Sequence, residues 1–220
     1  MHEPSDNPTD ARPVDPTDVR PVDPTDARPV DPTAADPVPS TADELVAVFD
    51  PEGHAIGAAP RGEVYARGLW HGSAGVLVRS TDRTRVYVHR RTDTKSVFPG
   101  VHDCLAGGVI DAGEEPAQTA RRELAEELGI SRVDLTPFGQ TRWEGRSGDA
   151  LVRCHLFGFE AFYDGPIRHQ PSEVADGWWW TEDVLRDHLA DPSWPFVPDS
   201  RALLDEWRAR RAGRARTTRG

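Results

Sequence analysis

Large aliphatic and aromatic side chains are nearly missing before Leu45, and from there they recur in short runs separated by turn residues. LVAVFD from Leu45, HAIGAAP from His54, GLWHGSAGVLVRS from Gly68 and RVYVHRR from Arg85 read as strands, with turns at Pro51 to Gly53 and near Asp82. Arg61 to Arg67 reads as a short helix. SVFPGVHDCLAGG, from Ser96, reads as a loop followed by a strand. VDLTPFGQTRWEG and ALVRCHLFGFEAFY read as two strands joined by a hairpin turn over Gly145 to Asp149, and DGWWWT as another strand. Helical spacing takes over at TEDVLRDHLA, with Thr181 as N-cap and acids in the first turn, and again at DSRALLDEWRARR. Strands mixed with two or three helices, without strict βαβ alternation, point to an α/β fold built on a mixed sheet.

One further segment keeps a helical period but loads it with charge. In GVIDAGEEPAQTARRELAEELGI, residues 108 to 130, Pro116 suits a first helical turn and Gly129 suits a left-handed cap. Glu114 and Glu115 lie at the positive end of the helix dipole, and the helix should run about three and a half turns. Ala117, Ala120, Leu124 and Leu128 form an apolar stripe, leaving Glu123, Glu126 and Glu127 on another face. Carboxylates on adjacent turns repel one another by roughly a few tenths of a kcal/mol per pair, so the cluster needs compensating charge. Arg122 supplies part of it. A hard divalent cation, which prefers carboxylate oxygens and bridges to substrate phosphates, would supply the rest. The plainer meaning of an isolated E-x-x-E-E is a solvated acidic face.

The pattern is not isolated. Gly108, Glu114, Arg122, Glu123, Leu124, Glu126, Glu127, Gly129 and Ile130 fill every specified position of G-x5-E-x7-R-E-U-x-E-E-x-G-U, with U aliphatic. This is the Nudix box, and the chain resembles Nudix hydrolases. The resemblance implies an α/β/α sandwich that hydrolyses a nucleoside diphosphate derivative, or a related small-molecule diphosphate, with Mg²⁺ or Mn²⁺. It implies Glu123, Glu126 and Glu127 as metal ligands, with Gly108 adding a backbone carbonyl. Arg122 is implied as the arginine that positions these acids and completes the catalytic set, with Glu114 as its second partner. Arg90, Arg91 and Lys95 are the candidates to meet substrate phosphates, since guanidinium forks match phosphate geometry.

The run from Leu45 through His71, HRRTDTKSVFPGVHD before the box, and EVADGWWWT and PDSRALL after it are similar to a subgroup of Nudix hydrolases resembling isopentenyl diphosphate isomerase. An isomerase is therefore one alternative. It would carry a Cys-Gly-His run where this chain has Gly107, Gly108 and Val109, and a histidine seven residues before His71, where this chain has Val64. Cys104 comes three positions too early and, in a strand, would face away from residue 107. A Nudix-fold binding module with little turnover is the other alternative; its weakness is the retained acid cluster.

Composition sets the boundaries. Residues 1 to 44 hold 11 acids against 3 arginines and contain three copies of P-T-D-[A/V]-R-P-V-D, so this segment reads as a disordered, solvated tail. The domain is expected over 45–210, with a flexible Arg-rich end over 211–220. A net charge of -11 argues against nucleic acid or an anionic membrane as partner, and no apolar run is long enough to span a bilayer. Two cysteines and no apolar leader suggest a reduced, cytoplasmic setting. A homodimer stays open. Glu173 is an auxiliary acid or base candidate; His71 reads as a structural histidine, and Trp179 should face opposite to Trp178 and Trp180.

Overall fold

The computed structural model describes residues 41–217, so the proline and aspartate repeats lie outside the described residues. A single 3-10 turn at Thr41–Asp43 leads into β1 (Leu45–Phe49) and β2 (Ala55–Pro60), an antiparallel hairpin closed by the turn at Pro51. Helix α1 (Arg61–Arg67) follows and stops at Gly68, whose φ of 60° is the left-handed cap glycine tolerates best. Then come β3 (Trp70–Arg79), β4 (Arg85–Arg91), β5 (His102–Asp103) and β6 (Leu105–Val109).

Helix α2 (Pro116–Leu128) begins on a proline and ends at Gly129, φ 67°, as its sequence predicts. Its N-terminus carries a capping box that the sequence reading did not include: Glu115 and Gln118 satisfy each other's backbone N–H groups. The chain continues through β7 (Thr136–Ser147), β8 (Ala150–Phe162), β9 (Val174–Thr181), α3 (Glu182–Ala190) and α4 (Pro198–Thr217). Thr181 caps α3 by accepting from Val184 N–H at 3.3 Å. Helix α4 runs on past residue 211 to Thr217.

Strand β3 is the axis of the sheet. It pairs with β6 antiparallel from Ser73↔Val109 to Leu77↔Leu105, and with β8 in parallel from Trp70↔Arg153 to Arg79↔Phe162. Strand β1 joins it through Val48↔His71, and β4 through Arg79↔Val86. Such a strand is covered on both faces, which explains its nearly unbroken apolar run. Ala74, Val76 and Val78 point into a core shared with Ala120, Leu124, Leu128 and Ile130 of the α2 side. Leu77 points into a second core shared with Leu185 and Leu189 of α3 and Leu203, Leu204 and Trp207 of α4. The result is helices on both faces of a mixed sheet, the α/β/α sandwich expected.

The tryptophan strand divides as its alternation requires. Trp179 meets Tyr87 edge-on, ring centroids 5.3 Å apart, while Trp180 stacks on His188 of α3 at 4.7 Å. At the far end of β3, Arg79 is buried and ties three elements: Nη1 donates to Glu160 at 2.9 Å, and Nη2 to the Arg83 carbonyl and to Glu182.

Candidate active site

A cleft of about 300 Å³ opens where β6 runs into α2, bordered by the loop between β4 and β5 and by the start of α1. Gly107 and Gly108 lie in β6 opposite Gly75 and Ala74 of β3. A side chain at either would meet an obstacle, of a different kind at each. A Cβ on Gly107 would fall 2.2 Å from the Ala74 carbonyl oxygen, whereas a Cβ on Gly108 would fall 2.2 Å from Glu123 Oε1. The first is a wall of backbone, and the second is a carboxylate laid across the strand.

The three box glutamates sit in three environments. Glu127 is 2% exposed, and its Oε2 accepts from Gly107 N–H at 3.0 Å. Its Oε1 lies 3.7 Å from Lys95 Nζ, and Lys95 also pairs with Glu173. Burial pushes the Glu127 carboxyl up and the Lys95 ammonium down. Glu123 forms the cleft wall; burial raises its carboxyl too, against the pull of Arg122. Glu126 stands at the rim, half exposed. The expected separation of apolar stripe and acid face is thus corrected: Glu127 is buried with the core residues, while Ala117 is exposed.

Arg122 links the acids. Nη1 donates to Glu123 at 2.8 Å and to Glu126 at 3.4 Å, while Nε and Nη2 reach the two oxygens of Glu114 at 3.2 and 3.1 Å. This pairing holds the Glu114 carboxyl below the usual carboxylate range, and Thr119 Oγ1 donates to it at 2.6 Å. Among the described residues, no three His, Cys, Asp or Glu side chains are gathered into a ready-made cation cage. The oxygen donors nevertheless suit a hard cation: Glu123, Glu126 and Gly108 all line this cleft, and the Glu123 carboxylate occupies the space a Cβ on Gly108 would fill.

The sequence of this region also reaches beyond its own fold. A family profile described as the NUDIX domain matches residues 69–200. The chain belongs to the Nudix family. It is 61% identical over 170 residues to the Nudix hydrolase orf19 of Rhodococcus erythropolis, covering 75% of this chain and 92% of that one. It is 33% identical over 171 residues to the Nudix hydrolase YfcD of Escherichia coli strain K12, covering 77% and 89%. The solved structure of DR0079 from Deinococcus radiodurans aligns with a TM-score of 0.58 over 71% of this chain and 95% of that chain; at 20% identity it shares the fold. The protein is a Nudix hydrolase. No helix among its described residues is long and apolar enough to cross a membrane.

The basic candidates of this Nudix hydrolase separate. Lys95 and Arg91 line the cleft, but Arg91 uses Nε and Nη2 on the carbonyls of Phe98 and Val97, both at 3.0 Å. Arg90, next along the strand, lies outside the cleft and pairs with Asp93. Residues that sequence reasoning did not single out form the far wall. Arg61 of α1 pairs with Glu44 at 3.1 Å, and Asp103 accepts from the N–H groups of Cys104 and Leu105 at 2.7 and 3.0 Å. Burial pushes Asp103 up to about 6. His71 is also buried here, edge-on to Tyr65, and burial takes it down to about 4. No local pattern marks Arg61 or Asp103, which come to the cleft from α1 and β5.

Proposed function

We propose that this Nudix hydrolase cleaves the pyrophosphate bond of a small-molecule diphosphate, such as a nucleoside diphosphate derivative, by water attack, in dependence on Mg²⁺ or Mn²⁺. The observation that carries the reading is that Glu123 and Glu126 line one cleft with Lys95 and Arg91, while the buried Glu127 lies 3.7 Å from Lys95 Nζ. Glu123, Glu126, Glu127 and the Gly108 carbonyl would hold the cation. When bound, such an ion neutralises charge on phosphate oxygens and acidifies a coordinated water. Arg122 keeps Glu123 and Glu126 oriented, and Lys95 and Arg91 present positive charge to the phosphates. Two buried cysteines, Cys104 and Cys154, without a disulfide between them, suit a reduced cytoplasmic setting.

The isomerase alternative is opposed by Gly107, because no side chain fits at the position where that chemistry needs a thiol. Cys104 does not replace it, since burial holds its thiol well above the ordinary range. The test is phosphate release across nucleoside di- and triphosphates, nucleotide sugars, dinucleotides and isoprenoid diphosphates, with Mg²⁺, Mn²⁺ or chelator. Metal-dependent release from one class is expected, with Glu127→Gln and Glu123→Gln reduced about 100-fold or more. Variants that keep wild-type turnover would remove these residues from the reaction.

A further inference from the structure

Lys95 is the one lysine of the chain, and it is not placed as a surface charge. Its side chain is 14% exposed, with Nζ 3.7 Å from Glu127 Oε1 and paired to Glu173 Oε2. Glu127 is held from the other side by Gly107 N–H on Oε2. Glu127, the most buried of the three box glutamates, therefore has both oxygens engaged and a counter-charge in place. Arg122 is the counter-charge of Glu123 and Glu126, meeting one oxygen of each.

Resting on the metal-dependent reading above, we propose that Lys95 is a built-in counter-cation of the metal-free site, which an incoming divalent ion displaces from Glu127, and that Glu173 is the acid that retains Lys95 afterwards. A buried carboxylate without a partner is costly, so the metal-free protein needs Lys95 where it is. A divalent ion on the same carboxylate reverses the situation: two cations a few ångströms apart in a poorly screened cleft repel steeply. Lys95 cannot withdraw far, because Arg91 fastens the loop just beyond it through the Val97 and Phe98 carbonyls. Glu173, less buried than Glu127, is already in contact and takes the ammonium. Lys95 then remains in the cleft, available to the oxygens of an anionic substrate. Metal affinity is thereby kept low until substrate arrives, and Lys95 and Glu173 act as positioning residues for the cation.

The test is calorimetric titration of the metal-free, full-length protein with Mn²⁺ alone, no substrate present, with melting curves in chelator to show that each variant is folded. Lys95→Met should bind Mn²⁺ about tenfold more tightly than wild type, the order expected when a unit charge is removed beside a divalent ion in a partly screened cleft. Its melting temperature in chelator should be lower and its gain on adding Mn²⁺ larger. Lys95→Arg should stay near wild type. Glu173→Gln should bind several-fold more weakly, an effect that disappears in the double variant with Lys95→Met. Should Lys95→Met fail to fold, Lys95→Gln carries the same expectation. Folded Lys95 variants that bind no tighter than wild type, while Glu127→Gln abolishes binding, would overturn this proposal and leave the metal reading standing. Absence of Mn²⁺ binding in wild type and every variant would overturn both.

Discussion

Arg91 holds Phe98 in an unusual backbone conformation: Nε donates to the Phe98 carbonyl at 3.0 Å, and Phe98 has a φ of 51°. Bulky side chains rarely adopt that region, so the surrounding contacts must over-determine it. They do. Ser147 Oγ accepts from Phe98 N–H at 2.8 Å, and the Trp143 ring meets the Phe98 ring edge-on at 5.7 Å. The turn so fixed carries Lys95 and Phe98 along the cleft. Arg91→Lys removes the planar fork that bonds two carbonyls at once. It should lower kcat/KM about tenfold, speed proteolytic cutting between residues 92 and 100, and move the melting temperature by only a few degrees. An unchanged kcat/KM would show that the loop does not depend on the fork.

The two adjacent glycines of β6 should respond differently to the same added methyl group. In Gly108→Ala the obstacle is the tip of Glu123, a side chain that can swing aside, so turnover should fall at least about tenfold while stability changes by less than about 1 kcal/mol. In Gly107→Ala the obstacle is the backbone of Ala74 and Gly75 in the central strand, and about 3 kcal/mol or more of stability should be lost. Urea unfolding and steady-state kinetics on both variants separate the cases; equal losses of stability would contradict the assignment.

Arg79 is 3% exposed and satisfies Glu160, Glu182 and the Arg83 carbonyl together. Truncating it to alanine takes Glu160's guanidinium partner away, leaves Glu182 to Arg211 alone, and empties space beside Phe162 and Trp207. Chemical denaturation of Arg79→Ala should show a loss of about 3 kcal/mol or more, with kcat unaffected in the fraction that remains folded. A loss below about 1 kcal/mol would mean that water takes over the arginine's role.

Acid should act on stability through His89. It is buried in β4, and burial lowers its pKa from 6.5 to about 3. Between those two values the unfolded chain binds a proton that the folded chain does not. The stability tied to the neutral ring is therefore fully present above pH 6.5 and is lost as pH falls toward 3, by about 1.4 kcal/mol per pH unit. On going from pH 7 to pH 5, wild type should lose about 2 kcal/mol more than His89→Gln. Parallel losses in the two proteins would show that the ring takes up its proton without unfolding.

Much of the framework was legible in local pattern. The α1 boundaries, Pro116 and Gly129 as the ends of α2, and the Thr181 cap all follow from signals a few residues long. What could not be read is which side of an element meets the rest of the molecule. Glu127 and Ala117 exchange the roles expected of them because β6 approaches α2 from the Glu127 side, and nothing within the helix encodes that direction. Arg90 and Arg91 are chemically alike, yet the strand's alternation sends one into the cleft and the other to Asp93. Arg61, at the start of α1, and Asp103, in β5, line the cleft although neither lies in the box. The box, and with it the family, was legible in the sequence; the walls that surround the box were not.

The parallel seam between β3 and β8 bears on how the chain is made. Its two halves, Trp70–Arg79 and Arg153–Phe162, lie some eighty residues apart, so one flank of the central strand has no partner until the second half has left the ribosome. Residues 70 to 128, which contain β6 and α2, emerge well before that. Pairings so distant in sequence are slow to form, and unsatisfied strand edges invite association with other chains. Vectorial synthesis of this protein therefore has a vulnerable interval that ends with the arrival of β8, and a ribosome-bound chain truncated before Ala150 should depend on chaperones far more than one released after Phe162.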